Sequence, residues 1–274
     1  MRVIVTRPAN EALGWVGQLQ AQGVQALALP LIAIGPPADL AGVHGAWRAL
    51  ADYAALMFVS GNAARQFFAL KPAEAFAESA WLALKNVANP TSRPRCWATG
   101  PGTVQALLAQ AIAPGRIDAP PTGAAQFDSQ ALWQVVASQV VAGASRVLIV
   151  RGVDEAPADG HEATGRPWLH EQLVAAGARV DTVLSYRRTL PELSPHEHAA
   201  LLAAAADGSV WLFSSSQAIE HLQRLAPQQD WAGARAIATH PRIAHAAQAA
   251  GFGVVCESRP LMAELVQAIK SLHD

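Results

Sequence analysis

The sequence is short of cysteine, of charge and of long apolar runs, and each shortage closes off a class of protein. Only two cysteines occur in 274 residues, Cys96 and Cys256, far apart and each in or beside an expected strand. Two such thiols build no disulfide framework and suit a reducing compartment. Charged residues make up 15% of the chain and the formal net charge is −1, so no bulk positive field recruits nucleic acid or acidic lipid. Arginine far outnumbers lysine among the 20 basic residues, a bias that genomic base composition explains better than a dedicated arginine surface. No apolar run approaches membrane-spanning length, and Val3-Ile4-Val5 is too short for a signal-peptide core. The expectation is a cytoplasmic protein with neither nucleic acid nor membrane as partner.

Common catalytic signatures are missing as well. There is no G-x-S-x-G elbow and no Walker loop, which removes the ordinary hydrolase and kinase readings. Gly100-Pro-Gly102-Thr-Val-Gln105 begins like a dinucleotide fingerprint, with Asp118 at a suitable distance. The third glycine is absent, however, and Pro101 has no N–H to offer a pyrophosphate. His196 and His198 stand at a helix start beside Pro195 without a cysteine or carboxylate cluster, and read as surface histidines. No metal and no cofactor is expected.

What is present is a folded α/β pattern. Hydrophobic residues make up 51%, and short β-rich runs alternate with amphipathic helices, the mark of parallel sheets. Strands are expected at Val3 to Val5, at Val24 to Leu29 continuing through Pro30 into Leu31 to Ile34, at Ala55 to Val59, Cys96 to Thr99, Val147 to Val150, Val180 to Leu184, Val210 to Phe213, Ala236 to Thr239 and Val254 to Cys256. Asn10 is a candidate cap for a helix with Leu13, Val16 and Leu19 inward, ended by Gly23. Other helical stripes are Val104, Leu107, Leu108 and Ala111; Ile243, Ala246, Ala247 and Ala250; and, after Pro260, Leu261, Leu265, Ile269 and Leu272. Residues 199–206 form an alanine-rich helix, while 86–95 and 153–165 read as exposed loops.

A weak internal repeat organises these elements. Leu19-Gln-Ala-Gln-Gly23 and its following strand match Leu173-Val-Ala-Ala-Gly177 and its strand. Val5-Thr6-Arg7 corresponds to Val150-Arg151, Phe58-Val-Ser60-Gly61 to Phe213-Ser-Ser-Ser216, and Ala98-Thr-Gly100-Pro101 to Ala238-Thr-His-Pro241. The chain therefore reads as two similar α/β units with the same strand-end loops.

Ligands of parallel α/β sheets bind beyond the carboxyl ends of the strands. The residues there are Thr6-Arg7, Ser60-Gly61-Asn62, Gly100-Pro101-Gly102-Thr103, Arg151-Gly152, Ser214-Ser215-Ser216 and Thr239-His240. Each Ser, Gly and Thr cluster opens a helix, where unpaired N–H groups and the helix dipole favour an anion, at about 0.3–1 kcal/mol per exposed contact. Any one cluster is an ordinary helix cap. The whole set, repeated in both halves, points to a partly polar cleft for a multiply anionic ligand.

The same residues resemble the uroporphyrinogen-III synthase family, over nearly the whole chain. The motifs are Val3-Ile-Val-Thr-Arg-Pro8, the run to Leu29-Pro-Leu-Ile32, Phe58-Val-Ser60-Gly-Asn62-Ala63, Gly100-Pro-Gly-Thr103 and Phe127-Asp-Ser129-Gln-Ala-Leu132. Leu148-Ile-Val-Arg151-Gly152, Gly165-Arg166, Gly177, Val180, Tyr186-Arg187-Arg188, Phe213-Ser-Ser-Ser216 and Ala238-Thr-His-Pro241 follow in family order. Each motif is loose, and their order and spacing carry the resemblance.

The resemblance implies two flavodoxin- or Rossmann-like parallel-sheet lobes, residues 1–34 plus 188–274 and residues 38–184, with 35–37 and 185–187 as a two-segment extended hinge and the active-site cleft between the lobes. It also implies a monomeric, cofactor-free enzyme acting on hydroxymethylbilane, a linear tetrapyrrole with eight carboxylates. Loss of the terminal hydroxyl leaves an electrophilic azafulvene, the last ring attacks through its substituted carbon to form a spiro intermediate, and reopening and reclosure invert that ring. The substrate supplies most of the reactivity, so the protein has to orient it, exclude water and assist one proton transfer.

By the same resemblance Tyr186 matches the family tyrosine and is the candidate for assisting hydroxyl departure, since a neutral phenol can donate a proton without prior tuning. The plainer reading is a packed tyrosine whose hydroxyl is only hydrogen-bonded. Ser60, Gly61, Asn62, Gly100, Gly102, Thr103, Ser214, Ser215, Ser216 and Thr239 would hold carboxylates, largely through backbone N–H groups, with Arg7 and Arg151 as cations. His240-Pro241-Arg242-Ile243 departs from the family's glycine and hydroxyl residues. Either Arg242 compensates as a cation, or the contact is dispensable. The rival readings are a non-catalytic two-lobed binding protein for an anionic small molecule and a nucleotide-dependent transferase using the Gly100 loop.

Overall fold

In a computed structural model, residues 2–73, 78–85, 94–154 and 168–272 are described. The expected loops at 86–95 and 153–165 fall largely outside these residues, and Gly165-Arg166 wholly so. In chain order the elements are β1 (Arg2–Val5), α1 (Ala9–Ala21), β2 (Gln25–Ala28), β3 (Ala33–Gly35), α2 (Ala41–Arg48), β4 (Ala55–Phe58), α3 (Gly61–Ala69), α4 (Glu78–Lys85), β5 (Arg95–Ala98), α5 (Pro101–Ala109) and β6 (Ile117–Asp118). There follow α6 (Ser129–Val136), β7 (Arg146–Asp154), α7 (Trp168–Ala175), β8 (Arg179–Thr189), α8 (Pro195–Ala206), β9 (Val210–Phe213), α9 (Ser216–Leu225), β10 (Arg235–Ala238), α10 (Pro241–Ala249), β11 (Val254–Glu257) and α11 (Met262–Ser271).

The chain divides into two units, Met1–Ala33 with Thr189–Asp274, and Ile34–Arg188. The first carries a five-stranded sheet in the order β11-β10-β9-β1-β2, with every neighbouring pair parallel. The second carries a six-stranded sheet in the order β3-β8-β7-β4-β5-β6, in which β8, β7, β4, β5 and β6 run parallel. The repeat seen in the sequence maps onto these orders for four strands, β2-β1-β9-β10 in one unit corresponding to β8-β7-β4-β5 in the other, and β11 and β6 extend the match by a fifth. Gly23 and Gly177, which end the helices before β2 and β8, both take positive φ, 76° and 82°. Glycine has no Cβ to clash in that left-handed turn.

The central strands are continuous apolar runs because helices cover both of their faces. Val3, Ile4 and Val5 of β1 are fully buried, and so are all four residues of β9. In the second unit Trp47 stacks on Phe67 with ring centroids 5.0 Å apart, and Phe58, Phe68 and Trp81 pack around the pair. Such pairs add about 0.5–1.5 kcal/mol each beyond the area they bury. The Trp47 indole N–H donates to the Phe67 carbonyl at 3.1 Å.

Some elements differ from the sequence reading. Helix α1 is capped at Pro8 and buries Ala12 and Leu19, with Trp15 and Val16 packed beside them, while Leu13 is 65% exposed. The buried stripe follows i, i+3/i+4, i+7 from Ala12, and Leu13 lies one helical step off it. Helix α5 ends before Ala111, which takes φ 60° as Ile112 N–H turns back to the Leu107 carbonyl. Helix α10 turns Ile243, Ala244 and Ala247 inward rather than Ala246. Strands β7 and β8 run to Asp154 and Thr189, well past their expected ends, so residues 185–187 lie within β8.

Candidate active site

The sheet order sets which loops neighbour one another. In the second unit β8, β7, β4 and β5 are consecutive; Ser60-Gly61-Asn62 and Gly100 to Thr103 follow the carboxyl ends of β4 and β5, while Arg151-Gly152 and Tyr186, expected past strand ends, lie within the carboxyl-terminal halves of β7 and β8. Ser60 is the N-cap of α3, its Oγ accepting from Ala63 N–H at 3.1 Å. The Tyr186 hydroxyl lies 3.1 Å from that same Oγ. Tyr186 is buried, so its phenol meets α3 at the end where free N–H groups gather.

Helices α3 and α5 approach through glycine. A Cβ built on Gly61 would lie 3.0 Å from the Gly102 carbonyl oxygen, tighter than nine in ten real Cβ contacts, so a side chain there would push the two first turns apart by a few tenths of an ångström. Gly100 caps α5 with Pro101 at the first helical position, and Thr103 is buried in the first turn. Asn62 receives a hydrogen bond from Arg65 at 2.8 Å, which places the Arg65 guanidinium beside Gly61. Sequence reading passed over Arg65. The signal was available, since it sits one turn after Gly61 on the helix that Ser60 caps. Arg151 Nε folds back to the Gly152 carbonyl at 3.2 Å.

In the first unit the neighbours β10, β9 and β1 bring Thr239 to Arg242, Ser214 to Ser216 and Arg7 to one edge. Ser215 caps α9 through its backbone, and the Ser216 Oγ and Gln217 Oε1 atoms are buried without a hydrogen-bond partner. Arg7 donates to Glu11 at 2.7 Å and its guanidinium lies 3.9 Å over the Trp15 ring. Thr239 N–H donates to the Phe213 carbonyl at 3.1 Å, and Arg242 is exposed. The His240 departure gains a physical account: its Nδ1 accepts from Arg242 N–H at 3.1 Å, capping α10 as a hydroxyl would. The repeat held that clue, because His240-Pro241 stands where Gly100-Pro101 opens α5. His221 is another buried polar group outside the sequence reading, its Nδ1 2.6 Å from the Leu31 carbonyl.

Taken singly, each edge offers helix N-termini, hydroxyls and guanidinium groups, which is chemistry for carboxylates rather than for bond cleavage by a nucleophile. Among the described residues no group of three or more His, Cys, Asp or Glu could hold a metal, and no helix is long and apolar enough to cross a membrane.

The fold resembles that of uroporphyrinogen-III synthetase from Helicobacter pylori, with a TM-score of 0.57 at 16% identity, over 99% of this chain and 100% of that one. It also resembles a mutant uroporphyrinogen III synthase from the extremely thermophilic bacterium Thermus thermophilus, with a TM-score of 0.53 at 16% identity, over 100% of this chain and 98% of that one. At such identity the likeness speaks for the fold alone. No curated protein sequence gives a significant match. The sequence profile of the family described as Uroporphyrinogen-III synthase HemD matches residues 14–267, nearly the full length. The chain therefore belongs to the uroporphyrinogen-III synthase family, the cyclising lyases of porphyrin biosynthesis.

Proposed function

We propose that the chain converts hydroxymethylbilane to uroporphyrinogen III and water, and that Tyr186 gives the proton that lets the terminal hydroxyl leave. The observation that carries this reading is the Tyr186 hydroxyl, held 3.1 Å from Ser60 Oγ beside the amino ends of α3 and α5. There the substrate's carboxylates meet N–H groups while the phenol faces the leaving oxygen. Ser60, by donating to or accepting from the phenol, keeps that hydroxyl aimed as its proton departs. The resulting phenolate is the natural acceptor for the proton released when the ring closes, which returns the enzyme to its starting state.

The remaining residues hold and orient. Gly61, Asn62, Gly100 and Gly102 at one carboxyl edge, and Ser214, Ser215 and Ser216 at the other, serve carboxylates largely through backbone N–H groups, while Thr103 and Thr239, whose N–H groups already donate to the Gly100 and Phe213 carbonyls, serve them through their hydroxyls. Arg151 and Arg242 add positive charge, and Arg7 does so while braced by Glu11 and Trp15. Orientation of this kind suits a substrate that reacts spontaneously, because selecting one geometry is then most of the catalysis. The chain works without a cofactor, as a monomer in the cytoplasm, and binds no nucleic acid.

Freshly prepared hydroxymethylbilane, incubated with the pure protein and no cofactor, should give the type III isomer in excess of the type I ring that forms spontaneously. Type I alone would overturn the reading. Family membership does not favour the non-catalytic binding protein, and the same incubation separates the two.

A further inference from the structure

Strand β8 breaks its own alternation at the residue before Tyr186. Up to Leu184 the pairing with β7 is regular, Val150 opposite Val183 and Arg151 opposite Leu184. The next residue of β7, Gly152, then pairs with Tyr186, so Ser185 is left over as a bulge. Burial shows the consequence: Val183 is inside, Leu184 is 41% exposed, and Ser185 and Tyr186 are both inside. In unbroken register Ser185 would oppose Gly152 and Tyr186 would fall opposite Val153, with its ring on the other face of the sheet. The extra residue rotates Tyr186 onto the face covered by α3.

Two contacts hold this arrangement. The Ser185 hydroxyl, fully buried, donates to the Ala63 carbonyl of α3 at 3.2 Å and lies 3.5 Å from the Arg151 carbonyl of β7. It ties the bulge to the helix whose cap is Ser60. Gly152 then supplies the space for the ring. A Cβ at that position would stand 2.6 Å from both Cε1 and Cε2 of Tyr186, and nearer still to Cζ. Real Cβ contacts essentially never fall below 3.0 Å, so any side chain at 152 has to push the phenol end of the ring away.

We infer that Gly152 and Ser185 are positioning residues for the Tyr186 phenol: the bulge turns the ring to α3, and the missing side chain at 152 lets its hydroxyl settle against Ser60. The inference rests on the reading of Tyr186 as proton donor, and its test is arranged to separate the two.

The chain has only two tyrosines, Tyr53 and Tyr186, so a protein labelled with ring-13C tyrosine shows two assignable sets of signals. Gly152→Ala should move the Tyr186 signals and leave those of Tyr53 in place. It should lower kcat about tenfold or more with KM within about twofold, the signature of a group that acts in the chemical step. In the Tyr186→Phe background the same substitution should cost less than about twofold, because the hydroxyl it displaces is already gone. Unmoved Tyr186 signals, or an equal loss in both backgrounds, would overturn the inference. Full activity of Tyr186→Phe by itself would instead remove the proton-donor role, while the ring signals still decide whether Gly152 positions the phenol. Should Gly152→Ala fail to fold, Ser185→Ala adds no atoms and takes its place, with shifted Tyr186 signals expected and unshifted ones counting against the inference.

Discussion

Ser60 Oγ lies 3.1 Å from the Tyr186 hydroxyl and 3.1 Å from Ala63 N–H, so one serine both starts a helix and holds a phenol. The two functions separate by substitution. Tyr186→Phe leaves the cap intact and should lower kcat by about 10²-fold or more, the range for a lost general acid, while losing less thermal stability than Ser60→Ala. Ser60→Ala should lose about 1 kcal/mol of stability as well as activity, since a capping side chain goes with it. Steady-state kinetics beside thermal unfolding reads both, and an unstable Tyr186→Phe would contradict the division.

His240 caps α10 through Nδ1, where a hydroxyl was expected. His240→Ala should cost about 1 kcal/mol, and His240→Ser should recover most of it, because serine accepts from the same N–H. Urea unfolding measures the difference, and equal losses in the two variants would show that the imidazole does something other than capping.

Far along β7 and β8 from Tyr186, the Tyr53 hydroxyl donates to Asp181 at 3.0 Å and Arg146 binds the same carboxylate at 2.7 Å. Burial first, and then the bond to Asp181, push the Tyr53 phenol from 10.0 up to about 12. A group raised on folding contributes stability that is complete below its unfolded value and is lost as pH climbs through the folded one. Tyr53→Phe should therefore cost about 1–2 kcal/mol at pH 8. That gap should narrow between 10.0 and about 12 as the wild-type phenol ionises. Urea midpoints for both proteins across this window test it, and a constant gap would rule out the linkage.

The matched glycines at the ends of α1 and α7 should not tolerate alanine equally. Gly23 has open space around its Cβ position, so Gly23→Ala bears only the left-handed backbone penalty of about 1–2 kcal/mol. At Gly177 an added Cβ would also stand 2.8 Å from the Ala142 Cβ, so Gly177→Ala should lose more. Denaturant unfolding of the pair, each against wild type, orders the two losses.

Where short-range chemistry decides, the sequence was legible. The strand-helix alternation, the two-fold repeat and the cap at Ser60 are set by residues within one turn of each other, whereas the cap expected at Asn10 moved to Pro8. The edge strands were not legible in the same way: β6 is two residues long, and β3 joins the sheet of the second unit although its apolar run continues from β2. Arg7 could be placed at a strand end but not onto Trp15, because that stacking depends on where α1 starts.

By itself, then, the sequence determined an α/β chain of two related units, the loops that lie at the carboxyl ends of their strands, and membership of a family that handles a polyanion. The tertiary structure alone decided that Ser185 is squeezed out of register and that Gly152 leaves space for a ring. The physical reason is separation along the chain. Ser60 and Tyr186 are 126 residues apart, and no local periodicity reports which way a side chain turns when a distant strand pairs one residue out of step.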